Sequence, residues 1–347
     1  MPGETIPPRA GATFGVGSLP HRDIADAVDF AWGATTIPTI PSLPRRSPAE
    51  AMVAQALVGI TGVSTGQYAG ISVDVAALDP DSPVDTDLSA DAFGAFAAFL
   101  SSVADRDAVT SPLVKWQFIG PVTLSIALTR AGLAPELAHR LALRAVRARI
   151  SALGDHVSAA LPLAKQIVVL DEPSLATALE AGSDLGGDDV VDLVSGALAA
   201  VPAGHMSGLH CCARIDWGAM LATGAQLLSV PVPTASDPEA TSEMLLAAAR
   251  ISDHLEQGGR IAWGAVRTDG PVSATPERPW RQLMESMCSL VRAGVDPLML
   301  RKGSLATPAC GLAAHSEPMA RHVMSHVGEV GGRIAQQTTA SRLTLGS

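Results

Sequence analysis

The feature that most constrains this chain is an alternation. Short β-branched or apolar runs recur along it, separated by longer Ala- and Leu-rich stretches with helical spacing. The strand-like runs are Thr13–Ser18, Thr35–Ile40, Gly70–Val75, Val114–Ile119, Ile167–Leu170, Gly208–Cys212, Gln226–Val230, Arg260–Val266 and Pro297–Arg301. Helical stretches include Ile24–Trp32, Ser89–Ala104, Pro135–Ala160, Glu239–Gln257 and Arg281–Ala293. This pattern predicts a parallel sheet whose strands are joined by crossover helices. The nine runs are one more than a closed (β/α)8 barrel needs, and Gly70–Val75 is set apart as part of an inserted hairpin. No G-x-G-x-x-G follows a strand, and no linker divides the chain. The expectation is therefore an α/β protein built as a single (β/α)8 TIM barrel over residues 12–340. Residues 1–11, dominated by Pro and Gly, read as a flexible tail.

Composition removes several classes of function. Hydrophobic residues make up 47% and charged residues 17% of the 347, which argues against long disordered segments. The net charge is 24 − 34 = −10, the wrong sign for a nucleic-acid partner. Apolar stretches such as Val190–Val201 are short and interrupted by Asp192 and Ser195, so no membrane span is expected. The first residues carry no basic segment followed by an apolar run, so the expected location is cytoplasmic. In a reducing compartment, Cys211, Cys212, Cys288 and Cys310 are thiols, ligands or core filler rather than disulfides.

The polar motifs gather where strand-like runs end, which is where barrel enzymes keep their chemistry. Gly17-Ser18-Leu19-Pro20, Gly120-Pro121-Val122-Thr123, Asp171-Glu172-Pro173, His210-Cys211-Cys212, Arg267-Thr268-Asp269 and Thr307-Pro308-Ala309-Cys310 all sit there. On a strand, residues two apart point to one side, so His210 and Cys212 converge while Cys211 faces away. Zinc accepts imidazole and thiolate together, and a catalytic site needs three protein ligands and an open position. Cys310 is the third candidate ligand. Cys211 and Cys288 read as core. Two thiolates cancel the charge of Zn2+, so the open position suits a substrate thiolate that becomes deprotonated yet stays electron-rich. Water activation for hydrolysis is the competing use, but no general base stands beside the ligands.

These segments resemble the C-terminal catalytic barrel of cobalamin-independent methionine synthase, in a superfamily that also holds uroporphyrinogen decarboxylases. The resemblance is carried by Gly17-Ser18-Leu19-Pro20, Phe118-Ile119-Gly120-Pro121-Val122-Thr123, Val169-Leu170-Asp171-Glu172-Pro173-Ser174-Leu175, Leu209-His210-Cys211-Cys212 and Thr307-Pro308-Ala309-Cys310-Gly311-Leu312. It implies zinc at His210, Cys212 and Cys310, with homocysteine sulfur as methyl acceptor. It also implies Asp171 at the amino group and Ser18 near the carboxylate, roles that suit a carboxylate and a hydroxyl. Glu172 reads as a residue that orients the ligand or caps a helix. The family's glutamate zinc ligand has no counterpart in Gln226–Pro231, which implies a three-ligand site. A second amino-group carboxylate is replaced within Met52-Val53-Ala54, and a folate-contacting tryptophan within Ser125-Ile126-Ala127. Asp269 stands where the family has a proton-donating histidine and is the candidate catalytic acid. The methyl donor is expected to be methyltetrahydrofolate or a methylcorrinoid protein. The alternatives are a uroporphyrinogen decarboxylase-like lyase, which would line its mouth with arginines, and a non-catalytic zinc or thiol-binding protein. His21 and Arg22 are candidates for contact with an anionic group, and Asp79–Asp87 reads as a surface loop.

Overall fold

A computed structural model of the chain describes residues 6–66, 70–105, 111–180, 183, 185–234 and 236–345. Residues 1–5 of the expected tail lie outside these. The strands, in chain order, are β1 (Val63–Thr65), β2 (Ile71–Val73), β3 (Leu113–Ile119), β4 (Lys165–Asp171), β5 (Met206–His210), β6 (Leu227–Pro231), β7 (Arg260–Val266) and β8 (Ser304–Pro308). β1 and β2 form the separate antiparallel hairpin expected around Gly70–Val75. The other six make one parallel sheet in the order β3-β4-β5-β6-β7-β8, each strand beside its sequence neighbour.

That sheet corrects the sequence expectation. It is an open, six-stranded half-barrel, not a closed eight-stranded (β/α)8 TIM barrel. The runs expected as the first two strands, Thr13–Ser18 and Thr35–Ile40, form no ladder; their backbone pairing with the sheet is by isolated bridges, Thr13 to Ala306 and Thr39 to Lys115. Their threonines explain this. Thr13 N–H donates to Thr36 Oγ1 at 2.7 Å, Thr36 N–H to Thr13 Oγ1 at 3.0 Å, and Gly15 N–H to Thr39 Oγ1 at 3.0 Å. Hydroxyls thus take amides that a strand pair would have used. Gly17 then leaves the extended region at φ 139°, a conformation glycine tolerates, and the Gln117 side chain fills the place of its missing Cβ.

A second correction concerns Pro297–Arg301, expected as a strand and found as the start of a helix, Pro297–Gly303. Asp296 accepts hydrogen bonds from the amides of Leu298 and Met299, and Pro297 occupies the first turn, a strong start signal for a helix. β8 begins only at Ser304.

The sheet separates two apolar layers. Phe14, Ile37, Ile167, Val169, Leu227 and Leu305 pack in the concave interior. Trp116 and Phe118 of β3, Leu170 of β4 and Trp263 of β7 face outward onto helices such as Pro121–Arg130 and Pro135–Ala160. Because both faces are covered, these strands read as near-continuous apolar runs. The polar residues that interrupt them therefore stand out, and Asp171 and His210 are the last residues of β4 and β5. Among the described residues, no helix is long and apolar enough to cross a membrane.

Candidate metal centre

β5 delivers His210 at its last position, buried at 3% exposure. Across the sheet its register partner is Ser229 of β6, whose Oγ lies 2.9 Å from His210 Nδ1. The other ring nitrogen, Nε2, is buried and has no hydrogen-bond partner. Cys211 turns into the outer core, fully buried, where burial pushes its thiol up to about 11. Cys212 returns to the side of His210. Cys310 reaches the same point from beyond β8, on a loop held by Ala309 N–H to Val266 O (2.9 Å) and Leu312 N–H to Ser18 O (2.8 Å). The ligand atoms of His210, Cys212 and Cys310 all lie within 4.8 Å of one another.

Ligand atoms on a tetrahedral zinc stand roughly 3.5 Å apart, so this nitrogen and two sulfurs need only a small contraction to share one ion. The orphaned, buried Nε2 fits a nitrogen lone pair kept for a metal. The sulfurs carry a matching charge pattern. The neighbouring Cys212 thiol and His210 hold the Cys310 thiol well below its ordinary range, while Cys310 and burial push the Cys212 thiol up. Two sulfurs with opposite proton affinities side by side suit a divalent cation, which displaces thiol protons when it binds.

Asp171 ends β4 and is the register partner of His210. It is half-buried, and its Oδ1 is sequestered with no hydrogen-bond partner. Burial raises its carboxyl, and His210 and Lys115 partly offset this. Glu172 is occupied differently. Its Oε1 accepts from Val122 N–H at 2.8 Å, and its Oε2 accepts from Thr123 N–H at 2.7 Å and Thr123 Oγ1 at 2.5 Å. These donors form the first turn of helix Pro121–Arg130, which leaves amides free for a carboxylate. A Cβ on Gly120 would collide with this carboxylate at 2.1 Å, which accounts for glycine in Gly120-Pro121-Val122-Thr123. Burial nonetheless pushes the Glu172 carboxyl up to about 7. Ser18 is half-buried, with its Oγ against Gly311, the residue after Cys310; a Cβ there would lie 2.1 Å away.

No protein-family model matches the chain, and no curated protein matches it in sequence. Solved structures do match. One is a Listeria monocytogenes protein carrying a provisional assignment as a vitamin-B12-independent methionine synthase. It aligns over 80% of this chain and 77% of its own, with a TM-score of 0.52 and 14% sequence identity. The chain shares that protein's fold.

Cys212 and Cys310 also line a cavity of about 450 Å3, walled by Trp217, Pro231, Val232 and Thr234. Asp269 lines it too, but it is exposed and bound to Arg267 through two contacts, Nε to Oδ1 at 2.9 Å and Nη2 to Oδ2 at 2.5 Å. That guanidinium holds the Asp269 carboxyl below its usual range. His21, a candidate for contact with an anionic group, lies away from solvent. It is buried against Phe30, with ring centroids 5.1 Å apart, and neither ring nitrogen has a partner. Arg22 is exposed and reaches Arg45 O. Cys288, read as core, is exposed.

Two interior residues escaped the sequence reading. Lys115 Nζ, fully buried, donates to Val16 O and to Gln117 Oε1 (2.8 Å), and Gln117 Nε2 donates to Ile40 O at 3.2 Å. The signal was present as two polar residues inside an otherwise apolar strand. Ser229 escaped as well, because nothing local marks it.

Proposed function

We propose that the protein is a zinc-dependent methyltransferase that moves a methyl group onto a thiol, with homocysteine as acceptor and methionine as product. The observation that carries this reading is the convergence of His210, Cys212 and Cys310 on one point, with Nε2 of His210 kept free of other partners. Zinc held there supplies a Lewis acid that keeps a thiol deprotonated near neutral pH. The chain's own residues do the remaining work. Cys212 and Cys310 bring two negative charges, which favours a sulfur nucleophile over an activated water. Asp171, with an unpaired buried oxygen beside His210, takes the ammonium group of the amino acid. Ser18, packed against the Cys310 loop, lies near its carboxylate. Trp217, Pro231 and Val232 give the adjoining cavity an apolar wall where the methyl donor approaches. Methyltetrahydrofolate and a methylcorrinoid protein are the two donors to assay.

The test begins with metal analysis of the purified protein and continues with homocysteine titration followed by zinc X-ray absorption. The reading expects one zinc per chain and a gain of one sulfur neighbour on adding homocysteine. An unchanged sulfur shell would overturn it.

A further inference from the structure

We infer that Ser229 is a positioning residue for the metal: its hydroxyl fixes the ring orientation and tautomer of His210 and so sets zinc affinity. This rests on the reading of His210, Cys212 and Cys310 as ligands.

Ser229 Oγ sits 2.9 Å from His210 Nδ1, between residues buried at 2% and 3% exposure, and the two are register partners on adjacent strands. The backbone ladder therefore fixes both Cα positions, and among the described residues the hydroxyl is the hydrogen-bond partner that the ring nitrogens have. A neutral imidazole carries one N–H and one lone pair. If Nδ1 keeps the proton and donates to Ser229, the lone pair falls on Nε2, the nitrogen without a partner. The opposite tautomer would leave Nε2 protonated and unable to ligate.

The choice of serine has a further consequence. Histidine ligands commonly donate their second N–H to a carboxylate, a carbonyl or water, and a carboxylate raises ligand basicity. Here two cysteine sulfurs already neutralise the ion, and an anionic substrate would add to them. A neutral hydroxyl orients the ring without adding charge.

The experiment measures zinc affinity by competition with a chromogenic chelator, using the full chain and no methyl donor. Ser229→Ala should weaken zinc binding by about 10- to 100-fold, while Ser229→Thr, which keeps the hydroxyl, should stay near the wild type. Ser229→Val matches threonine in shape without the hydroxyl and should fall with alanine. Circular dichroism of the zinc-free variants checks that each is folded. Equal zinc affinity in the Thr and Val variants would overturn the role of Ser229 while leaving the metal centre intact. Absence of zinc binding by the wild type would overturn both readings.

Discussion

Asp171 and His210 are register partners at the C-terminal ends of β4 and β5, and each carries a buried atom without a hydrogen-bond partner, Oδ1 and Nε2. Leaving such atoms unpaired in a folded interior costs about 1–3 kcal/mol each, so two on neighbouring strands mark a place kept for a ligand. If Asp171 holds an ammonium group, Asp171→Asn keeps the size and removes the charge. Homocysteine affinity measured calorimetrically on zinc-loaded protein should fall by roughly 10- to 100-fold, the worth of a hydrogen bond to a charged group. Zinc content should not change. A thiol carboxylate lacking the amino group should bind wild type and variant alike; if it also loses affinity, Asp171 acts on something other than ammonium.

The cysteines divide by direction. Cys212→Ser and Cys310→Ser should each abolish stoichiometric zinc, since each removes one of three converging ligand atoms. Cys211→Ala should keep it, because Cys211 is a fully buried thiol in the outer core, and should lose roughly 1 kcal/mol of stability through lost packing. Mass-spectrometric zinc determination on the three variants decides the matter. Zinc lost from the Cys211 variant and kept in the Cys212 variant would reverse the assignment.

The sequence made β3 to β7 legible because strands covered on both faces are almost uninterrupted apolar runs. It misled at Pro297, where a short apolar stretch has no period long enough to separate helix from strand and the Asp296 cap settles the outcome. It misled again over Thr13–Ser18 and Thr35–Ile40, where the strand pattern is present but hydroxyl groups intercept the amides. Within the site, the two-residue spacing of His210 and Cys212 announced their convergence. Ser229 did not announce itself, because its partner lies 19 residues away; Lys115 showed only as a polar residue in an apolar strand, and its contact with Val16 lies 99 residues away.

Asp269 faces the cavity but is tied to Arg267, and that guanidinium keeps it ionised. An exposed pair of this kind contributes little to stability. Asp269→Asn should change unfolding free energy by no more than about 0.5 kcal/mol. It should also leave the pH–rate profile unchanged between about pH 5 and 8, where groups of ordinary carboxylate range do not titrate. Loss of a limb from that profile would instead make Asp269 a proton donor.

Lys115 makes a prediction about stability. It is 1% exposed, and burial brings its ammonium from 10.5 down to about 8, with Asp171 opposing the change. Between those two values the unfolded chain binds a proton that the folded chain has released. Stability therefore rises with pH across that interval, and the charged lysine carries its full penalty below about 8. A shift of this size corresponds to an upper figure of about 3 kcal/mol. Lys115→Met removes the titration and also strips Gln117 Oε1 and Val16 O of their donor, so its absolute stability is not the quantity to compare. The slope is. Urea unfolding from about pH 7 to 10.5 should show wild type gaining stability relative to Lys115→Met as the pH rises past 8. Parallel curves for the two proteins would mean that Lys115 keeps its ordinary affinity for protons, and that Val16, Gln117 and Asp171 fully compensate its burial.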